Sequence, residues 1–288
     1  MRESNTKIKY SVDTNDQGLP FYHFKIYSDI LQYAKISGHR FVKLVNHDTL
    51  FNNDLDLVLG FLKLQPPVES EYITCGNILE PKIVSFLEEN QEIKEVKTFS
   101  FEDLENGTED FHFIRDLEYM NEEGQSVTGE IKTFYNRNKL KWNGLLAEPH
   151  IDWWLQTRLE LEILKEEGGL GRIFYYYVTP SNRKKIVEGQ PHNINLKYFF
   201  QSDYIVKPKK GETEEMIQTH FFEQGFNNFQ ELIDYALIRR EDLMTLYEDS
   251  DGLYYQAHVP IRYPWASDNN HIDKYIESLK PYFIIEEI

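Results

Sequence analysis

Two carboxylates and a lysine near the middle of the chain are spaced as they would be in a metal-dependent hydrolytic site. Glu130 and Lys132 are two positions apart in a stretch of strand character, so both side chains would project from one face of a strand. Asp116 and Glu130 lie at equal sequence distances from Glu123, the middle of a polar turn. Across a hairpin centred on that turn, the two carboxylates would face each other with their Cβ atoms about 4.5–5.5 Å apart.

Two carboxylates in that position repel each other unless a cation lies between them. Oxygen ligands of this kind suit Mg²⁺ or Mn²⁺. A lysine beside such a metal can orient or deprotonate a water and offset the charge of a phosphate. Solvated surface charge is the alternative interpretation, because an acidic residue two positions before a lysine occurs at four places in this acidic chain: Glu80–Lys82, Glu92–Lys94, Glu95–Lys97 and Glu130–Lys132.

The elements that would position these residues form an α/β pattern. Apolar spacing predicts a helix over 76–90, with Asn77 as its N-cap and Pro81 in its first turn. Strand signals follow at 96–101, 111–120 and 127–135, then a helix over 149–167 and a buried strand over 172–178. We expect a central mixed sheet with an antiparallel hairpin, flanked by helices. Residues 21–64 are expected to be helical, 196–206 a strand, and 214–248 largely helical.

Length and composition set the broad class. The 288 residues are expected to form one domain over 1–288, with a core at about 55–180 and a C-terminal extension at about 181–288. A net charge of −17 argues against a protein that coats nucleic acid by bulk electrostatics. The single cysteine, Cys75, allows no internal disulfide, zinc finger or four-cysteine iron–sulfur cluster. Without a long apolar run or a signal-like start, we expect a cytoplasmic protein with no membrane partner.

Four elements in order resemble the PD-(D/E)XK nuclease superfamily, and within it the phage lambda exonuclease and YqaJ-like viral recombinase group. The resemblance covers about 55–178. It is carried by a glycine and Glu-Pro on a helix, an Asp on one strand, Glu-x-Lys on the next, and a Gln on the following helix, which here are Gly76 to Pro81, Asp116, Gly129 to Thr133, and Gln156.

The resemblance implies a role for each matching residue. Asp116, Glu130 and the backbone carbonyl of Ile131 would bind a divalent metal, Mg²⁺ with Mn²⁺ as a substitute, and Lys132 would position or activate the water. Glu80 would help to hold a second metal. Gln156 would orient Lys132, the water or the scissile phosphate. Without the family, Gln156 is an ordinary exposed helix residue and Glu80 a carboxylate favoured by a helix N-terminus.

The resemblance also implies a function. The chain would be a Mg²⁺-dependent deoxyribonuclease that resects double-stranded DNA ends to leave 5′ phosphates, with a single-strand annealing protein as partner and a homo-oligomeric form. Basic residues that could hold DNA occur at Arg137, Lys139 and Lys141, at Arg183 to Lys185, and at Lys207 to Lys210. Two alternatives stay open: a restriction-type endonuclease whose C-terminal region recognises sequence, and a catalytically inactive nuclease fold that serves as an interaction module.

Overall fold

A computed structural model describes residues 6–46, 53–67, 70–90, 93–99, 107–135, 141–143, 146–164, 169–189, 194–207, 215–261 and 270–288. The helices are α1 (Gly38–Val45), α2 (Asp54–Phe61), α3 (Glu71–Glu89), α4 (Ile151–Leu164), α5 (Pro180–Val187), α6 (Glu215–Phe221), α7 (Phe229–Leu243) and α8 (Asn270–Leu279). The strands are β1 (Lys7–Thr14), β2 (Pro20–Tyr27), β3 (Lys94–Thr98), β4 (Leu117–Met120), β5 (Ser126–Phe134), β6 (Lys141–Asn143), β7 (Leu146–Glu148), β8 (Leu170–Tyr177), β9 (Phe200–Val206), β10 (Leu246–Asp249), β11 (Gly252–Pro260) and β12 (Ile284–Glu287).

The chain is a mixed α/β protein that divides into two compact units. Unit 1 comprises 1–36, 40–67 and 230–288, and unit 2 comprises 37–39 and 68–229. Each unit contains a mixed sheet flanked by helices. The single domain over 1–288 stays a prediction from the sequence.

Unit 1 is built on a sheet in the order β10-β11-β2-β1-β12. Its outer pair, β1 and β12, is parallel, and the other pairs are antiparallel. Strand β2 alternates between buried and half-buried side chains, and Phe24 and Ile26 are fully buried. The prediction of helices over 21–64 is therefore wrong for its first residues. These residues belong to β2, whose period-2 alternation continues to Tyr27, and the first helix begins only at Gly38.

Unit 2 is built on a sheet in the order β3-β4-β5-β8-β9. The predicted antiparallel hairpin is present as β4 and β5, and its turn has Gly124 at φ +75°. Strand β8 pairs parallel to β5, and β9 pairs antiparallel to β8, which confirms the strands expected near 172–178 and 196–206. Strands β6 and β7 form a separate two-stranded antiparallel sheet.

Two helices cover the two faces of this sheet. Leu79 and Ile83 of α3 pack in one apolar cluster with Ile131 of β5 and Phe174 of β8. Because side chains alternate along β5, Glu130 and Lys132 lie on the opposite face. That second face carries α4, whose Gln156 is hydrogen-bonded to both residues.

Several predicted boundaries are corrected by the structure. Helix α3 begins at Glu71 rather than near Asn77, and Ser70 is its N-cap, with its hydroxyl accepting a hydrogen bond from Tyr72 N at 3.2 Å. Pro81 therefore lies inside the helix. The strand expected over 111–120 is restricted to Leu117–Met120. The helix expected over 214–248 is interrupted between α6 and α7 and gives way to β10 at Leu246. Within the described residues, no helix is long and apolar enough to cross a membrane.

Candidate active site

The β4–β5 hairpin brings Asp116 beside the Glu130 segment in the register that the sequence predicts. Leu117 pairs with Gly129, so the next position in the same register sets Asp116 opposite Glu130. Asp116 itself lies just before β4, and its Oδ2 accepts a hydrogen bond of 2.6 Å from the backbone N–H of Ile131. This bond fixes one carboxylate oxygen of Asp116 at the edge of the hairpin.

Glu130, Lys132 and Gln156 form a connected polar group on the α4 face of the sheet. Lys132 Nζ pairs with Glu130 Oε1 and also donates a hydrogen bond of 3.2 Å to Gln156 Oε1. Gln156 Nε2 donates a hydrogen bond of 2.9 Å to the same Glu130 oxygen. The amide of Gln156 thus contacts both charged groups, and each partner holds the others in one orientation.

Glu130 is almost completely inaccessible to solvent, with 1% of its surface exposed, whereas the Lys132 side chain is a quarter exposed. The second carboxylate oxygen of Glu130, Oε2, is buried and has no hydrogen-bond partner in the described part of the chain. A buried carboxylate oxygen without a partner is costly, because a charged group loses its hydration when it is buried. This oxygen is therefore positioned to accept a ligand.

Glu80 and Asp116 complete the set of residues expected at this site. Burial raises the pKa of Glu80 above its ordinary value, and the charge of Glu130 raises it further. Burial likewise raises the pKa of Asp116 well above its ordinary value; Glu130 and Glu80 add to the increase, while Lys132 and the Ile131 N–H oppose it. The carboxyl groups of Glu80, Asp116 and Glu130 therefore lie close enough together to interact electrostatically.

Lys132 carries a positive charge at neutral pH in this arrangement. Burial lowers its pKa, but the carboxylates of Glu130 and Asp116 outweigh that effect, and the net pKa lies above the ordinary lysine value. A charged lysine is a hydrogen-bond donor and a counter-charge rather than a base.

A further carboxylate, Glu160, was not found by sequence reasoning. It lies four residues after Gln156 on α4, is 1% exposed, and its Oε2 also has no hydrogen-bond partner within the described ranges. Burial raises the pKa of Glu160 well above its ordinary value, and Glu130 and Asp116 raise it further. The sequence feature that could have identified Glu160 is its i, i+4 spacing from Gln156. This spacing places both polar residues on one face of a helix that is otherwise largely buried.

Gly38 allows the close approach that Gln156 requires. A Cβ atom at residue 38 would lie 2.6 Å from Gln156 Cγ, which is closer than real Cβ contacts. Residue 38 and residue 156 belong to the same unit. The absence of a side chain at this glycine therefore leaves the space in which Gln156 reaches Glu130.

The acidic side chains share hard oxygen donors, but they are not arranged as a finished set of ligands. Among the described residues, no group of three His, Cys, Asp or Glu side chains is arranged to hold one metal ion. In this arrangement, Glu130 Oε1 contacts Lys132 and Gln156, while Asp116 Oδ2 contacts a backbone N–H. Metal binding at these residues would use the remaining oxygens or a rotation of the side chains.

Some of the basic residues expected to hold DNA are described by the structure. Arg183 lies on α5 and pairs with Glu71 at 3.4 Å, with its guanidinium 4.5 Å from the centre of the Tyr72 ring. Lys184 pairs with Glu188 at 3.7 Å. Arg137, Lys139 and the stretch 208–210 lie outside the described residues, as does the side chain of Lys141.

No family model matches the chain, and no curated protein matches it. Among solved structures, the crystal structure of SSO0001 is similar, with 17% sequence identity and a TM-score of 0.33 over 71% of this chain and 75% of that one. A likeness this distant carries no argument about the fold or the activity.

Proposed function

We propose that the chain is a metal-dependent deoxyribonuclease with a PD-(D/E)XK-type core in unit 2. The observation that carries the proposal is the connected group of Glu130, Lys132 and Gln156, with Asp116 beside it. One Glu130 oxygen in this group is buried and has no hydrogen-bond partner within the part of the chain that the structure describes. An acidic residue and a lysine that were merely solvated surface charges would not be buried in this way.

The arrangement of elements supports the same class of core. The antiparallel β4–β5 hairpin is followed by the parallel strand β8, and α3 and α4 cover opposite faces. Asp116 precedes the first strand of the hairpin, Glu130 and Lys132 lie on the second, and Gln156 lies on the helix that follows. This is the order of elements on which the family resemblance rests.

The residues fit a divalent cation by the chemistry of their donors. One buried oxygen of Glu130 has no hydrogen-bond partner among the described residues. Burial and neighbouring carboxylates raise the pKa values of Asp116 and Glu80, and Lys132 offsets only part of that increase, so a further cation would relieve the remaining repulsion. Asp116, Glu130 and the carbonyl of Ile131 would hold one ion, and Glu80 would help to hold a second. When bound, Mg²⁺ lowers the pKa of a coordinated water and stabilises the charge that develops on the leaving oxygen.

Lys132 and Gln156 would act on the water and the phosphate. The Lys132 ammonium group offsets the negative charge of the scissile phosphate and donates hydrogen bonds. Gln156 keeps that ammonium group and the Glu130 carboxylate in a fixed relative position through its two hydrogen bonds. A pre-oriented donor needs little reorganisation as charge develops, which is the main source of electrostatic catalysis.

For the substrate, we propose double-stranded DNA ends, resected to leave 5′ phosphates, with a single-strand annealing protein as partner and an oligomeric form of the enzyme. The support for this part is the sequence resemblance to the phage exonuclease group. The acidic net charge of −17 favours local contacts at the site over binding along the length of a duplex.

The experiment compares linear duplex DNA with covalently closed circles, in Mg²⁺ and in EDTA, and follows the sizes of the products. The proposal predicts that linear DNA is degraded to mononucleotides in Mg²⁺ only, while closed circles persist. Discrete fragments from the circles would instead favour the restriction-type endonuclease. If neither DNA is cleaved in Mg²⁺ or Mn²⁺, the enzyme is excluded and an inactive interaction module remains.

A further inference from the structure

An aromatic cluster adjoins the lysine of the candidate site on the same face of the sheet. Phe134 lies two residues after Lys132 on β5 and is buried. Its ring centre is 5.8 Å from that of Trp153 and 5.4 Å from that of Tyr177. Tyr175, which pairs with Lys132 across the two strands, lies 6.1 Å from Trp153. The four rings form one packed aromatic cluster that begins beside the lysine.

Trp153 forms the accessible rim of this cluster. Phe134 and Tyr175 are buried and form its floor, whereas Trp153 is only partly buried. Trp153 lies three residues before Gln156, so both side chains occupy the same side of α4. The indole therefore stands about one helical turn from the amide that contacts Glu130 and Lys132.

We propose that Trp153 stacks against an unpaired nucleobase of the DNA strand that enters the site. The inference rests on the proposed function and extends it, because it assigns a base-binding subsite to a residue outside the acidic group. Every nucleobase presents a flat apolar face, so stacking holds a strand without regard to sequence. A stacking contact does not depend on charge, so it adds affinity in a chain whose net charge of −17 gives no long-range attraction to the phosphate backbone. DNA ends with unpaired bases would be bound in preference to blunt ends.

The test measures binding of short fluorescein-labelled single-stranded DNA at low salt in EDTA, which prevents metal-dependent cleavage. The second probe is an oligonucleotide of the same length in which abasic spacers replace all the bases. Trp153→Ala removes the ring and Trp153→Phe keeps a smaller one. Trp154→Phe is the matched control, because Trp154 is buried against Phe229, with the two ring centres 5.8 Å apart.

Wild-type protein and Trp154→Phe should bind the normal strand more tightly than the abasic strand. Trp153→Ala should weaken binding of the normal strand by roughly tenfold, in line with one lost base–aromatic stack. It should leave binding of the abasic strand unchanged, and Trp153→Phe should recover part of the loss. In addition, DNA should quench tryptophan fluorescence less in Trp153→Phe than in the wild-type protein.

The proposal is overturned if Trp153→Ala binds the normal strand as tightly as wild-type protein, or if it weakens both strands equally. If Trp153→Ala does not fold, the abasic comparison with wild-type protein and the fluorescence of Trp153→Phe decide the question. A failed nuclease proposal is recognised separately, by the lack of Mg²⁺-dependent cleavage in wild-type protein, and does not alter the binding comparison.

Discussion

The close approach of Gly38 to Gln156 leads to a prediction about stability that can be tested without any assumption about the reaction. Gly38→Ala would place a Cβ atom 2.6 Å from Gln156 Cγ and 3.3 Å from Gln156 Cδ. Either the site is overpacked, at a cost of about 1–3 kcal/mol, or the Gln156 side chain moves away from Glu130 and Lys132. The second outcome removes hydrogen bonds to charged groups, each worth about 1.5–3 kcal/mol. Loss of both Gln156 hydrogen bonds would cost more than overpacking, so the protein should adopt the overpacked arrangement. We therefore expect a loss of about 1–3 kcal/mol in the free energy of unfolding.

The same substitution should lose its cost when the opposing side chain is removed. In a Gln156→Ala background, Cγ is absent and the new methyl group meets no obstruction at that point. Because Gly38 lies at the start of α1, the change to alanine should then stabilise the protein by about 0.4–1 kcal/mol through the unfolded state. The double-mutant cycle should show a coupling energy of about 1.5–4 kcal/mol.

Urea denaturation of the wild-type protein, both single variants and the double variant measures this coupling. Gly76→Ala is the matched control, because a Cβ at that helical position would lie at an ordinary contact distance of 3.5 Å from Thr133 Oγ1. It should be neutral or slightly stabilising. An equal cost of Gly38→Ala in the presence and in the absence of the Gln156 side chain would refute the proposed packing.

Further predictions concern ionisable groups. Because burial raises the folded-state pKa of Glu160, the native state loses stability as pH rises through that pKa. In EDTA, Glu160→Gln should therefore melt at a higher temperature than wild-type protein at neutral pH, and the difference between the two melting temperatures should shrink toward about pH 4.3. An unchanged pH profile would contradict this. Burial and the neighbouring His23 lower the pKa of His258, so the contribution of neutral His258 to stability should be lost as pH falls from about 6.5 through the folded-state pKa. His258→Asn should therefore flatten that part of a plot of melting temperature against pH. The same slope in the variant and in wild-type protein would refute a lowered pKa for His258.

The sequence predicted the local geometry of the site because that geometry depends on one hairpin. The polar turn around Gly124 sets the register, and the register aligns Asp116 with Glu130. Strand alternation then puts Lys132 beside Glu130 on one face. These relations involve residues that are close in the chain, where turn chemistry and period-2 patterning determine the structure.

The features that the sequence did not predict depend on contacts between segments that are distant in the chain. Gly38 lies close to Gln156 although more than a hundred positions separate the two in the sequence, and no local sequence pattern predicts this contact. Strand β12 at the C-terminus pairs parallel to β1 near the N-terminus, a pairing that periodicity cannot reveal. Glu160 is buried because of what packs against α4, whereas its own sequence pattern is that of an ordinary helix.

The most direct test of the central claim is the Mg²⁺-dependent release of nucleotides from linear duplex DNA by wild-type protein and by Glu130→Gln. The substitution keeps the shape of the side chain and an oxygen that can accept from Gln156, but removes the negative charge. We predict release by the wild-type protein in Mg²⁺, none in EDTA, and none by Glu130→Gln despite a folded state. Undiminished release by Glu130→Gln, or no release by wild-type protein in either Mg²⁺ or Mn²⁺, would contradict the account.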